Sequence, residues 1–179
     1  MNTEINNEKN KYQLSSQKWY ALYTKPRAEK KVSSELDFRD FENFLPLQTT
    51  IKQWSDRKKK VEIPLFNSYI FVRIELEKYY YKILEIPGVV KFVKFGKEIN
   101  PIRDEQIEQI KLLLSNFDDI EINTEMIGLK DTIEVVAGPL TGFKGLIIEN
   151  QGNKNFAIEI EQLGCFMKIN LPKQYLRKL

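Results

Sequence analysis

Apolar positions along this chain change spacing repeatedly, and each change predicts an element. Lys18-Trp-Tyr-Ala-Leu-Tyr-Thr24 has the aromatic and apolar content of a strand, and Pro26 punctuates it. Ala28, Val32 and Leu36 then recur every four residues, the spacing of a helix, with Arg27, Lys30, Lys31 and Ser34 on the opposite side of the wheel. Phe44–Leu47 follows, and Thr49–Trp54 with Lys60–Ile63 read as a hairpin around a charged turn. Pro64–Ser68 leads into the strongest strand of the segment, Tyr69–Arg73. Glu77–Ile86 reads as a short helix stopped by Pro87-Gly88, and Val89–Phe95 returns as a strand. Asp104–Asn116 is a clearer helix: Ile107, Ile110, Leu113 and Leu114 form one face, and Asp104 and Glu105 suit its positive N-terminal end. Beyond it the chain reads as strands and turns alone, with Asn150–Asn153 as a tight hairpin turn.

This order predicts an α+β N-terminal domain over 18–116, a mostly antiparallel sheet flanked by helices. An acidic linker over 117–126 follows, then a small all-β barrel over 127–179, and residues 1–17 form a polar, disordered N-terminal tail. The barrel's clearest signal is Gly138-Pro-Leu-Thr-Gly-Phe-Lys-Gly145, set between the apolar runs Thr132–Val136 and Leu146–Glu149. Gly138, Gly142 and Gly145 are all expected to supply backbone angles that side chains disfavour.

Composition narrows the chemistry. With no histidine and one cysteine, Cys165, the chain has no disulfide, Cys/His zinc cluster, Ser-His-Asp triad or Cys-His dyad. No phosphate loop or nucleophile motif is visible, so neither an enzyme nor a cofactor is expected. Met1–Gln17 lacks the apolar core of a secretory signal and no later run is long enough to span a bilayer, so a cytoplasmic protein with a reduced thiol and no membrane partner is expected. Charge is unevenly spread. Residues 18–100 carry 17 Lys/Arg against 11 Asp/Glu, 101–135 carry 3 against 9, and 136–179 carry 6 against 3. The basic front is either a solvated surface or a nucleic-acid contact.

Strand parity puts Tyr69, Phe71 and Arg73 on one face and Ile70 and Val72 on the other, while Trp19, Ala21 and Tyr23 share a face of the first strand. Both faces carry apolar bulk. Either helices cover both, or one exposes an aromatic patch suited to a half-wet protein interface.

The glycine-rich string between two strands resembles a KOW motif. Together with Trp19-Tyr20, Pro64-Leu-Phe-Asn-Ser-Tyr-Ile-Phe-Val72 and Pro87-Gly88-Val89, it makes the chain similar to the NusG family of bacterial transcription elongation factors. Leu65–Val72, Lys91–Gly96 and the ending Leu176-Arg-Lys-Leu179 are similar to its RfaH-type paralogues. Trp19–Lys31 and Phe44–Ser68 look most like UpxY-type antiterminators of capsular-polysaccharide operons.

The resemblance implies a monomer without cofactor that binds the clamp helices of the largest RNA polymerase subunit and suppresses pausing and termination. The matching clamp positions are Tyr23, Phe66, Tyr69 and Phe71. Lys25, Arg27, Lys30 and Lys31 occupy the place that touches the displaced non-template DNA strand, and Arg57–Lys60 at the hairpin tip is either a solvated turn or a reach to upstream DNA. Tyr79, Tyr80 and Tyr81 replace the His-Thr-Thr loop of RfaH, and either make a second polymerase contact or pack on the sheet. Leu140, Phe143 and Leu163 match the surface that recruits a small-subunit ribosomal protein or Rho, with Phe143 otherwise a core plug. The β-branched residues of Thr132–Val136, Ile147-Ile148 and Phe156–Ile160 favour a constitutive barrel over the helical hairpin of RfaH. The alternatives are the housekeeping factor, acting with Rho or the ribosome, and an RNA- or ribosome-binding KOW protein without polymerase affinity.

Overall fold

The structure is a computed structural model that describes residues 17–53, 58–117, 120–123, 129–150, 153–160 and 163–179. The chain divides into two compact units, one running to Leu45 and resuming over Phe66–Glu105, the other formed by Pro46–Leu65 and Gln106–Leu179. The N-terminal tail read as disordered lies outside the described residues as far as Ser16.

In the first unit, β1 (Lys18–Thr24), β2 (Asn43–Phe44), β5 (Tyr69–Ile74) and β6 (Val89–Phe92) form a four-stranded sheet in the order β2-β5-β1-β6. Every pairing is antiparallel, and β1 lies opposite β5 from Lys18↔Ile74 to Tyr23↔Tyr69. Two helices belong to this unit, α1 (Glu29–Phe38) and α2 (Leu76–Leu84). The four-residue spacing predicted α1 because Val32 and Leu36 are its buried positions. They join Leu22, Ile70, Val72, Ile74 and Phe92 from the strands and Ile83 from α2 in one core. Fully burying side chains of this size contributes about 1.5–3 kcal/mol each.

The second unit contains the hairpin β3 (Leu47–Gln53) and β4 (Lys58–Pro64), whose register runs from Leu47↔Pro64 to Gln53↔Lys58. Its tip, including Arg57, is outside the described residues. The unit also holds most of α3 (Asp104–Asn116) and β7 (Glu121–Asn123). β8 (Leu129–Val135), β9 (Lys144–Asn150), β10 (Asn153–Ile160), β11 (Cys165–Ile169) and β12 (Leu176–Lys178) complete it. These last six strands form an antiparallel sheet in the order β12-β8-β9-β10-β11-β7. The α+β then all-β organisation expected from the pattern is the observed one.

Two details depart from expectation. Glu121–Asn123, in the stretch read as a linker, is an edge strand: Ile122 faces Met167 across the ladder, and Glu121 pairs with Lys168 at 2.8 Å. The acidic composition hid an alternation, with Ile120 buried and Ile122 half-buried around an exposed Glu121. Gly138 and Gly142 have φ of +83° and +88° as expected, but Gly145 is not a left-handed residue. It is there for space, because a Cβ would lie 2.5 Å from the Ala157 carbonyl oxygen and 2.6 Å from the buried Phe156 ring.

Candidate polymerase and nucleic-acid surface

Residues Tyr23, Phe66, Tyr69 and Phe71 form two aromatic pairs and not four equivalent contacts. Tyr23 and Tyr69 are half-buried, directly opposite in the β1–β5 ladder, and pack edge to face with centroids 5.4 Å apart. Lys91 from β6 stands over the Tyr23 ring at 5.7 Å. Phe66 and Phe71, by contrast, are 3% and 0% exposed. Phe71 stacks on Phe44 at 6.1 Å and meets Phe66 edge-on at 5.9 Å. These phenylalanines are therefore interior, and the expectation that they meet a partner directly does not hold for this conformation. The reason is chemical: a phenyl ring has no polar edge to keep wet, whereas a tyrosine hydroxyl gains from a wet boundary. Neither reading of the faces was right in full, since one is core throughout and the other is closed at Phe71 and open at the tyrosines.

The turn between β1 and α1 is held by three clips. The Thr24 N–H donates to the Ser68 carbonyl at 2.8 Å, and the Lys25 N–H to the Gly88 carbonyl at 2.8 Å. The Ser68 N–H donates to Glu29 Oε1 at 2.7 Å, and the Glu29 side chain is 5% exposed overall. Sequence reading passed over Glu29 because a glutamate in a first helical turn is ordinarily a solvated dipole partner. Here it reaches inward to a left-handed residue, Ser68 at φ +65°.

The turn so held presents Lys25 and Arg27 exposed, with Arg27 itself at φ +63°, ahead of the helix and not on its face. Lys30 and Lys31 are exposed on the first turn of α1. Arg73 was also missed as an organiser. It lies 3.6 Å from Glu42 and 3.1 Å from Asp104, and stands over the Trp19 ring at 6.0 Å.

The three consecutive tyrosines of α2 diverge because a helix turns by about 100° per residue. Tyr79 packs on Phe41 at 5.3 Å and Tyr80 stacks on Phe92 at 5.2 Å, while Tyr81 is 77% exposed. At the glycine-rich turn of the second unit Leu140 is fully buried and Phe143 half-buried, and Leu163, just before β11, is half-buried. Leu140 is thus interior, plugging a turn closed by Gly142 N–H to Val135 O at 2.7 Å and Val135 N–H to Phe143 O at 2.8 Å. Among the described residues no cluster of His, Cys, Asp and Glu is placed to hold a metal ion, and no helix is long and apolar enough to cross a membrane.

An antiparallel four-stranded sheet with a tyrosine pair beside a basic turn, and a six-stranded antiparallel sheet toward the C-terminal end, define an α+β protein with an aromatic and basic surface. A family model described as transcription termination factor nusG matches residues 17–111. The chain belongs to the NusG family.

It is 28% identical over 150 residues to the transcription termination/antitermination protein NusG of Bacillus subtilis, covering 76% of this chain and 84% of the relative. The NusG of Rickettsia prowazekii is 26% identical over 143 residues, covering 72% of each chain. A solved structure described as domain interaction in Thermotoga maritima NusG matches with a TM-score of 0.54 at 21% identity, covering 91% of this chain and 97% of that one, which supports the fold.

Proposed function

We propose that this chain is a transcription antitermination factor that binds the clamp of the largest RNA polymerase subunit, suppresses pausing and termination, and acts on selected operons such as capsular-polysaccharide loci. The observation that carries this reading is the half-buried, edge-to-face Tyr23–Tyr69 pair beside the clipped basic turn of Lys25 and Arg27. A rigid aromatic pair loses little conformational freedom on docking and offers apolar area with a polar rim.

The mechanism is differential binding. A factor that binds the closed, elongating polymerase better than an opened one shifts the population toward elongation without making or breaking a bond. Coupling of about 1–3 kcal/mol changes pause lifetimes by several-fold or more. Lys25, Arg27, Lys30 and Lys31 supply salt-dependent phosphate contacts to the non-template strand. Tyr81 is the member of its triplet open to a second polymerase contact. In residues 127–179, read as a KOW domain, Phe143 and Leu163 are the positions for a small-subunit ribosomal protein or Rho. The factor works in the cytoplasm as a monomer.

Single-round transcription by the cognate polymerase through a pause and a Rho-dependent terminator tests this, on a capsule-operon leader and on an unrelated template. Read-through confined to the leader is expected. Equal effects on both templates would favour a housekeeping factor, which the similarity to several NusG proteins keeps as the second reading. No effect on either would overturn polymerase-directed function.

A further inference from the structure

The outer strand of the four-stranded sheet and the turn beyond it carry exposed groups, of which Lys91 also meets the tyrosine pair, over the Tyr23 ring. β6 ends the strand order β2-β5-β1-β6. Lys91, Lys94 and Lys97 are exposed along and just beyond it, spaced three apart, and the first carboxylate of this stretch is the exposed Glu98 that closes the turn. Between the last two lysines stands Phe95, 61% exposed. It is not on a loose end. The Phe95 N–H donates to the Glu98 carbonyl at 3.0 Å, and Gly96 takes the φ of +67° that so short a turn requires. The fold therefore fixes an apolar ring in water among cations.

That edge is continuous with the basic turn. The Gly88 carbonyl accepts the Lys25 N–H, Lys91 lies opposite Tyr23 and Phe92 opposite Leu22, and the Val93 N–H reaches the Ala21 carbonyl. Extended chain rises about 3.3 Å per residue, so the four residues of β6, Val89–Phe92, carry this edge about 10 Å toward the second turn. A protein partner would ask for a broad apolar patch depleted of lysine. A single ring between cations suits an unpaired base flanked by phosphates.

We propose that single-stranded DNA leaving the Lys25–Arg27 turn follows β6 to this second turn, where Phe95 stacks on a base and Lys94 and Lys97 neutralise phosphates. This extends the strand contact proposed above and rests on it.

Anisotropy of a labelled oligothymidylate of about 18 nucleotides, slightly longer than the largest single-domain sites, tests the extension with the full chain at low salt. Phe95→Ala is expected to weaken binding about five-fold or more, Phe95→Trp to restore it, and Phe95→Leu not to. Lys94→Glu with Lys97→Glu is expected to reduce the salt slope by about 1.4, two single-strand phosphate contacts. The comparison variant is Lys30→Glu with Lys31→Glu. If it loses binding while the three Phe95 variants and the Lys94/Lys97 pair match the wild type, the extension is overturned and the first contact survives. If both sets bind as the wild type does, both contacts fail. Equal binding of a duplex, or tighter binding of an oligouridylate, would also overturn the assignment to unpaired DNA.

Discussion

The four-stranded sheet has α1 and α2 packed against one face, so Ile70, Val72 and Ile74 are sealed and only the other face retains accessible aromatic surface. The six-stranded sheet is closed differently. Consecutive residues of its central strands, Phe156, Ala157 and Ile158 on β10 and Cys165, Phe166 and Met167 on β11, are all buried. Yet the two units share one division of labour. The residue at the centre of each motif, Phe71 or Leu140, is fully buried, and its neighbours, Tyr69 with Tyr23 or Phe143, lie at the boundary with solvent. In both places a motif marks an architecture, and the accessible chemistry sits one or two strand positions or one turn away.

The largest effect that probes this division is expected at the interior residues. Phe71→Ala removes a ring packed between Phe44 and Phe66 and should cost about 3–5 kcal/mol, with Leu140→Ala costing about 2–5 kcal/mol. Tyr69→Ala leaves that packing in place and should cost less stability while weakening polymerase binding. Chemical denaturation beside a polymerase pull-down separates the two quantities. A Phe71→Ala protein of undiminished stability that fails to bind would return Phe71 to the contact surface and break the comparison.

A middle-sized effect is expected at Gly145. Its missing Cβ is what lets β9 approach the Phe156 ring and the Ala157 carbonyl, so Gly145→Ala must move backbone or a fully buried ring. Overpacking of this kind costs about 1–3 kcal/mol. Gly142→Ala meets nothing within 4 Å and would be strained only by its φ of +88°. If Gly145→Ala proved as stable as the wild type by thermal melting, the steric account of this glycine would be wrong.

Much of this was legible in the sequence because the periodicities were strong. The four-residue stripe of α1 and the aromatic and apolar content of β1 and β5 marked the elements and their order. The hairpin turn between β9 and β10 followed from Asn-Gln-Gly-Asn, and the strands do face each other at Asn150↔Asn153. Burial on a mixed face was not legible, since Tyr69 and Phe71 occupy equivalent parity positions and only their neighbours separate them. Glu29 was invisible for a related reason. Its value lies in a hydrogen bond to a backbone N–H 39 residues away, and no local pattern encodes a contact of that range. The Gly145 role was misread because steric need and left-handed need select the same residue type.

The smallest effect concerns Cys165, which reports on the second unit alone. The thiol is 3% exposed, and burial pushes it from an ordinary value of 9.0 up to about 12. Below pH 9 the thiol is neutral whether the unit is folded or not, so its contribution to stability is fully present. As pH rises past 9 the unfolded thiol ionises while the buried one does not, and stability drains away until the folded thiol also titrates near pH 12. By pH 10 this amounts to about 1 kcal/mol. Lysines and tyrosines titrate over the same range, so the quantity to follow is the stability difference between the wild type and Cys165→Ala. That difference should shift against the wild type between pH 8 and pH 10, and alkylation at pH 8 should be slow until the unit opens. Rapid labelling of the native protein, with a pH-independent difference, would mean that the interior of the six-stranded sheet is open to water, and that the sealing of β10 and β11 which sets it against the four-stranded sheet does not exist in solution.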